Sequence, residues 1–64
     1  MGVQNTIRRY VDVAATTLGP GFQSAVALAT KSVEKAGYTV ANATAILTGT
    51  DGESMSFLVE LETV

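Results

Sequence analysis

The sequence predicts an α+β fold of order β-α-β-β, with one helix packed on a three-stranded antiparallel sheet. Three observations carry that expectation. After an Asp51-Gly52 turn, Met55, Phe57, Val59 and Leu61 alternate with Ser54, Ser56, Leu58, Glu60 and Glu62, the period of a strand with one buried face. Across residues 21–36, Phe22, Ala25, Val26, Ala29, Val33 and Ala36 recur at helical spacing and stop at Gly37. Two further segments, 5–17 and 38–48, are rich in β-branched and aromatic residues.

Residues 1–4 are expected to fray. Residues 5–17 carry two periodicities. As a strand, Ile7, Arg9, Val11, Val13 and Ala15 alternate with Arg8, Tyr10, Asp12 and Ala14; as a helix, Val3, Ile7, Tyr10, Val11, Ala14 and Leu18 form a stripe. Composition favours the strand, because Thr6, Ile7, Tyr10, Val11, Val13, Thr16 and Thr17 are all β-branched or aromatic. A helical 3–18 would instead give two helices followed by a hairpin. Leu18-Gly19-Pro20-Gly21 then breaks the strand and opens a helix. Pro20 suits the first turn, where its missing N–H costs nothing. The glycines do not make a phosphate loop, since no Gly-Lys-Ser/Thr follows.

In the helix, Gln23, Lys31, Glu34 and Lys35 fill the face opposite the apolar stripe. Leu28 lies off that stripe and is a candidate subunit contact. Gly37 occupies the position of a C-terminal glycine cap, preceded by lysines that complement the helix dipole. In the second strand, Ala41, Ala43, Ala45 and Leu47 form one face, a surface small enough for the helix to approach closely. Tyr38, Val40, Asn42, Thr44 and Ile46 form the other.

Sixty-four residues make one domain, 1–64. A domain this small is marginal without a staple. The chain has no cysteine and no histidine, which removes disulfides, thiolate metal sites and the commonest general base. Its apolar content of 47% far exceeds its charged content of 16%, so self-association is the remaining route to more burial. Four basic residues against a net charge of −2 argue against a nucleic-acid partner. Residues 13–30 carry no charge but are interrupted by Gly-Pro-Gly, Gln23 and several hydroxyl residues, a poor membrane span. Without a leader-like run, the expected location is cytoplasmic. Charge is uneven: residues 1–37 hold four basic and two acidic side chains (+2), and residues 38–64 hold four acidic ones (−4). Pairing of the first strand with the last would set Arg8 or Arg9 near Glu60 or Glu62.

The order β-α-β-β, with Tyr10-Val11-Asp12-Val13-Ala14-Ala15-Thr16-Thr17 near the start and Asp51-Gly52 followed by Phe57-x-Val59-x-Leu61 near the end, resembles the dodecins. These very small proteins assemble into hollow dodecamers, and most hold flavins between subunits. The resemblance covers about 55 residues and implies a homo-oligomer that stores or sequesters a small planar ligand. By position it places a ligand site at Tyr38, Thr39 and Leu58. The family's tryptophan at the start of the second strand corresponds to about Thr39, and its flavin-bonding glutamine corresponds to Leu58. Neither family residue is present, although the adjacent Tyr38 offers a ring. The resemblance therefore implies fold and assembly more strongly than flavin as cofactor. Some members lack the tryptophan and are associated with calcium; Asp51 and Glu53 are the carboxylates the turn would offer. A looser similarity, over Glu34-Lys35-Ala36-Gly37-Tyr38-Thr39-Val40, is to ACT-type regulatory domains, of which this chain would form half.

No catalytic constellation is visible. Glu60 and Glu62 share a strand face, and paired carboxylates can do acid–base work, but on a strand they more often supply solubility and guard against edge pairing. The expectation is therefore a non-enzymatic dodecin-like homo-oligomer that binds a small ligand. The alternative is a structural or protein–protein interaction subunit, such as a virion or filament component, with no small ligand.

Overall fold

The structure is a computed structural model that describes residues 5–64. The expectation for residues 1–4, and the place of Val3 in the helical alternative, lie outside the described residues. Four elements follow in the order β1 (Asn5–Val13), α1 (Leu18–Lys35), β2 (Val40–Thr50) and β3 (Met55–Thr63). They form an α+β fold with one three-stranded antiparallel sheet of spatial order β1-β3-β2. The last strand is therefore the middle one, hydrogen-bonded on both sides.

The alternation read in β3 is the alternation observed. Phe57, Val59, Leu61 and Thr63 are fully buried, whereas Ser56, Leu58, Glu60 and Glu62 are half-buried on the other face. The helix covers the first face. Ala25, Ala29 and Val33 are buried against it, and Phe22 and Val26 pack alongside. The Phe22 and Phe57 rings meet at 4.9 Å and 52°. Burying each large apolar side chain here contributes about 1.5–3 kcal/mol, so the core depends on very few residues.

The helix begins at Leu18, three residues before the expected 21, with Thr17 as its extended N-cap. Gly19 and Pro20 fall in the first turn. There the backbone N–H groups have no helical partner, and proline removes one of them. Gly21 is buried because the helix start rests on β3. A Cβ at that position would lie 3.0 Å from Met55 Sδ and 3.3 Å from Phe57 Cζ. At the other end Gly37 has φ +102°. Its N–H donates to the Glu34 carbonyl at 3.0 Å, and that of Tyr38 donates to the Val33 carbonyl at 3.3 Å. These two bonds make a Schellman cap and satisfy carbonyls that the helix leaves open.

Two strand expectations are corrected. The segment 5–17 is a strand only to Val13, because Val13 pairs with Met55, the first residue of β3, and residues 14–17 have no strand opposite them. In β2 the register shifts between Val40 and Asn42 and again between Leu47 and Gly49. Each bulge adds one residue to a single strand and reverses the facing beyond it. Val40, opposite Thr63, therefore joins Ala43 and Ala45 against the core, while Ala41 is exposed. Ala43, Ala45 and Leu47 share one face and Asn42, Thr44 and Ile46 the other, as expected; only Ala41, Val40 and Tyr38 depart, the first two through the bulge and Tyr38 because the strand begins at Val40.

The turn between β2 and β3 is held by Asp51. Its Oδ1 accepts from the Ser54 hydroxyl at 2.8 Å and the Ser54 amide at 3.2 Å, while Gly52 takes φ +85°. The Ser54 hydroxyl, then the Ser54 and Glu53 amides, hold the Asp51 carboxyl below its ordinary pKa. Because the folded value is depressed, ionised Asp51 favours the folded state at neutral pH, and that contribution is lost as pH falls through the folded value. Replacing Ser54→Ala should move the Asp51 titration upward in a carboxyl NMR titration; an unmoved titration would show that Ser54 does not hold it. Gly37→Val should cost about 2 kcal/mol in urea unfolding, because a β-branched residue resists left-handed backbone, and Gly37→Asn should cost much less. Equal midpoints for all three proteins would rule out the cap.

Candidate functional site

One face of the sheet is covered by α1 and the other is covered by nothing within the described chain. On this open face the register sets four rows across the order β1-β3-β2. They are Thr6–Glu62–Asn42, Arg8–Glu60–Thr44, Tyr10–Leu58–Ile46 and Asp12–Ser56–Gly49. Three rows are polar and one is apolar.

The polar rows are bonded within themselves. Arg8 Nε donates to Glu60 Oε2 at 2.8 Å. Asn42 Nδ2 donates to Glu62 Oε1 at 3.2 Å, and the Ser56 hydroxyl donates to Asp12 Oδ1 at 2.6 Å. The expected approach of the first strand to the last is thus realised by Arg8 and Glu60. The pair is exposed, with 62% and 35% of the two side chains accessible, so it adds at most about 1 kcal/mol. Thr6, Arg8, Asn42, Thr44, Glu60 and Glu62 line a depression of about 280 Å³. Glu60 and Glu62 share this face as expected, but each carboxylate already has a side-chain partner in Arg8 or Asn42.

The apolar row is the exception. Tyr10 is 80% exposed and Ile46 is 56% exposed, with Leu58 half-buried between them. Neighbouring side chains in such a row stand about 5 Å apart, so the three form one continuous strip. The sequence marks Tyr38, Ile46 and Leu58 as members of an uncovered face; Ile46 and Leu58 lie on it, whereas Tyr38 precedes the strand and closes the helix cap. Tyr10 joins Ile46 and Leu58 by a signal the sequence carries only jointly: it alternates with Arg8 and Asp12, and an Arg8–Glu60 pairing places Tyr10 opposite Leu58.

The three residues proposed by family position do not converge within one chain. Leu58 lies at mid-strand on the open face. Tyr38 belongs to the helix cap, and the Thr39 carbonyl accepts from the Val64 amide at 3.0 Å, beyond the last pair of the sheet. Leu58 is five residues from Thr63, roughly 17 Å at the rise of a strand. Tyr38 is 43% exposed. Asp51, one of the two turn carboxylates, is engaged by Ser54. Among the described residues no group of three or more His, Cys, Asp or Glu side chains is placed to hold a metal ion. No helix among them is long and apolar enough to cross a membrane. Leu28 is 51% exposed on the far side of α1.

No family model, no curated protein and no solved structure matches this chain.

Proposed function

We infer that the chain is a non-enzymatic, dodecin-like subunit of a homo-oligomer whose copies close over the open sheet face and shelter a small flat ligand there. The carrying observation is the Tyr10–Leu58–Ile46 strip, an apolar row left in water by a domain with little core to spare. Covering these three side chains would draw on the same apolar transfer energy that holds the core, about 25 cal/mol for each Å² buried. The α+β order and the central position of β3 support the reading. A planar ligand suits an apolar strip that ends in a phenol ring able to stack. Flavin is the ligand class that the family resemblance suggests. A site using Tyr38, Thr39 and Leu58 together would have to draw them from different copies, given their separation within one chain.

A second reading keeps the oligomer and drops the ligand. What favours it is that the rows beside the strip are already hydrogen-bonded side chain to side chain. Such a face can pack directly against another protein surface, as in a structural subunit.

Light scattering on the chromatographed protein, with an absorbance spectrum of the same peak, tests these readings. A discrete particle near twelve chains with a flavin-like band is expected. A discrete particle without a chromophore, or an open ladder of sizes, would favour the structural subunit. A monomer at micromolar concentration would overturn both. Leu58→Arg should reduce the particle to smaller species while leaving the far-UV circular dichroism unchanged; unchanged mass would show that Leu58 is simply a surface residue.

A further inference from the structure

We propose that two copies join through their β1 strands, antiparallel about a two-fold axis at Tyr10, to make one six-stranded sheet. The contact rests on the oligomer reading and specifies one of its interfaces. Within the described residues β1 is paired only by β3, so its outer edge offers unused backbone donors and acceptors, as does the outer edge of β2. The two edges differ in regularity. β1 keeps an unbroken register with β3 over its nine residues, whereas β2 is interrupted by bulges at both ends. Bulges twist an edge away from pairing. The regular edge is therefore the one that can receive another strand.

Charge then selects the register. In antiparallel strands related by a two-fold axis normal to the sheet, directly opposed residues lie on the same face, so the axis must pass through a residue position. An axis at Arg8 or at Arg9 sets two like guanidinium groups against each other. An axis at Val11 sets Arg8 against the partner's Ala14 and leaves Asp12 facing the partner's Tyr10. An axis at Tyr10 sets Arg8 opposite the partner's Asp12 and Asp12 opposite the partner's Arg8, two complementary pairs on the open face. On the covered face it sets Ile7 against the partner's Val13, and Arg9 against the partner's Val11.

The side chains retain capacity for these contacts. Arg8 uses only Nε towards Glu60, and Asp12 uses only Oδ1 towards Ser56, leaving the terminal guanidinium nitrogens and Oδ2 to reach across. Arg9 Nη1 donates to the Arg8 carbonyl at 3.1 Å, and Arg9 swings aside if that carbonyl takes a strand partner. The two Tyr10 rings, each 80% exposed in the single chain, become cross-strand neighbours at the axis. The apolar strip of each copy then runs into the other, giving one band of six side chains from Ile46 to the partner's Ile46.

Cross-linking tests the register, and the sequence has no cysteine to interfere. Directly opposed residues have Cα atoms about 4.5–5.5 Å apart, inside the disulfide range of about 4.4–6.8 Å. Under mild oxidation Tyr10→Cys should give nearly complete covalent dimer. Arg8→Cys, whose two copies would lie four residues apart or roughly 13 Å, should give little, and Leu28→Cys on the far side of the helix serves as a second control. Circular dichroism checks that each variant folds. If light scattering shows an oligomer but Tyr10→Cys cross-links no faster than either control, the β1 contact is wrong and the oligomer reading stands. If the unmodified protein is monomeric, both fall.

Discussion

The position of β3 between β1 and β2 is the constraint from which the other features follow. A strand bonded on both edges commits its backbone entirely to the sheet, so its side chains can only point up or down. Phe57, Val59 and Leu61 then enter the core under α1, and Ser56, Leu58, Glu60 and Glu62 must lie on the opposite face. The helix can sit close because its contact residues are small, Ala25 and Ala29 as well as Gly21, whose missing side chain leaves room for Met55 and Phe57. Ala43 and Ala45 of β2 extend the same shallow surface. Close approach strengthens dispersion contacts but limits the apolar area that a single helix can cover.

That limit gives the open face its importance. The ion pair and the two side-chain hydrogen bonds on it are exposed, and such contacts trade water partners for protein ones at little net gain. They serve better to fix which residues stand beside which. The strip of Tyr10, Leu58 and Ile46 is different, because covering it returns apolar transfer energy with the Tyr10 hydroxyl as its one polar group to satisfy. Under the proposed oligomer, a surface polar in three rows and apolar in one would align whatever covers it along that row.

Face and edge would cooperate in an assembly. Joining two copies along β1 adds backbone hydrogen bonds without consuming the open face, and it doubles the length of the apolar strip. A longer strip is a better platform for whatever covers it, so an edge contact and a face contact reinforce one another. The bulges of β2 bear on this arrangement. They place Val40 in the core, and they also leave the second edge irregular, which discourages open-ended sheet growth from that side.

Local signals made much of this protein legible in its sequence. The faces of β3, the helix stripe from Phe22 to Val33, the cap at Gly37 and the turn at Asp51-Gly52 each depend on a few neighbouring residues, and each stands where the residue types require it; Ala36, expected on the stripe, is the exposed C-cap residue. A contact of Arg8 or Arg9 with Glu60 or Glu62 is legible as well, from the uneven placement of charge, and the register selects Arg8 with Glu60. Other features were decided by pairing between segments distant in the chain. Where β1 ends depends on where β3 begins. Which way Val40 and Ala41 face depends on bulges that exist only relative to a neighbouring strand. Tyr10 becomes part of a strip only once the register sets Leu58 and Ile46 beside it. Alternation along one strand is determined by its own backbone geometry, and the sequence by itself states it. The offset between strands is a property of the folded sheet, and only the tertiary structure decides it.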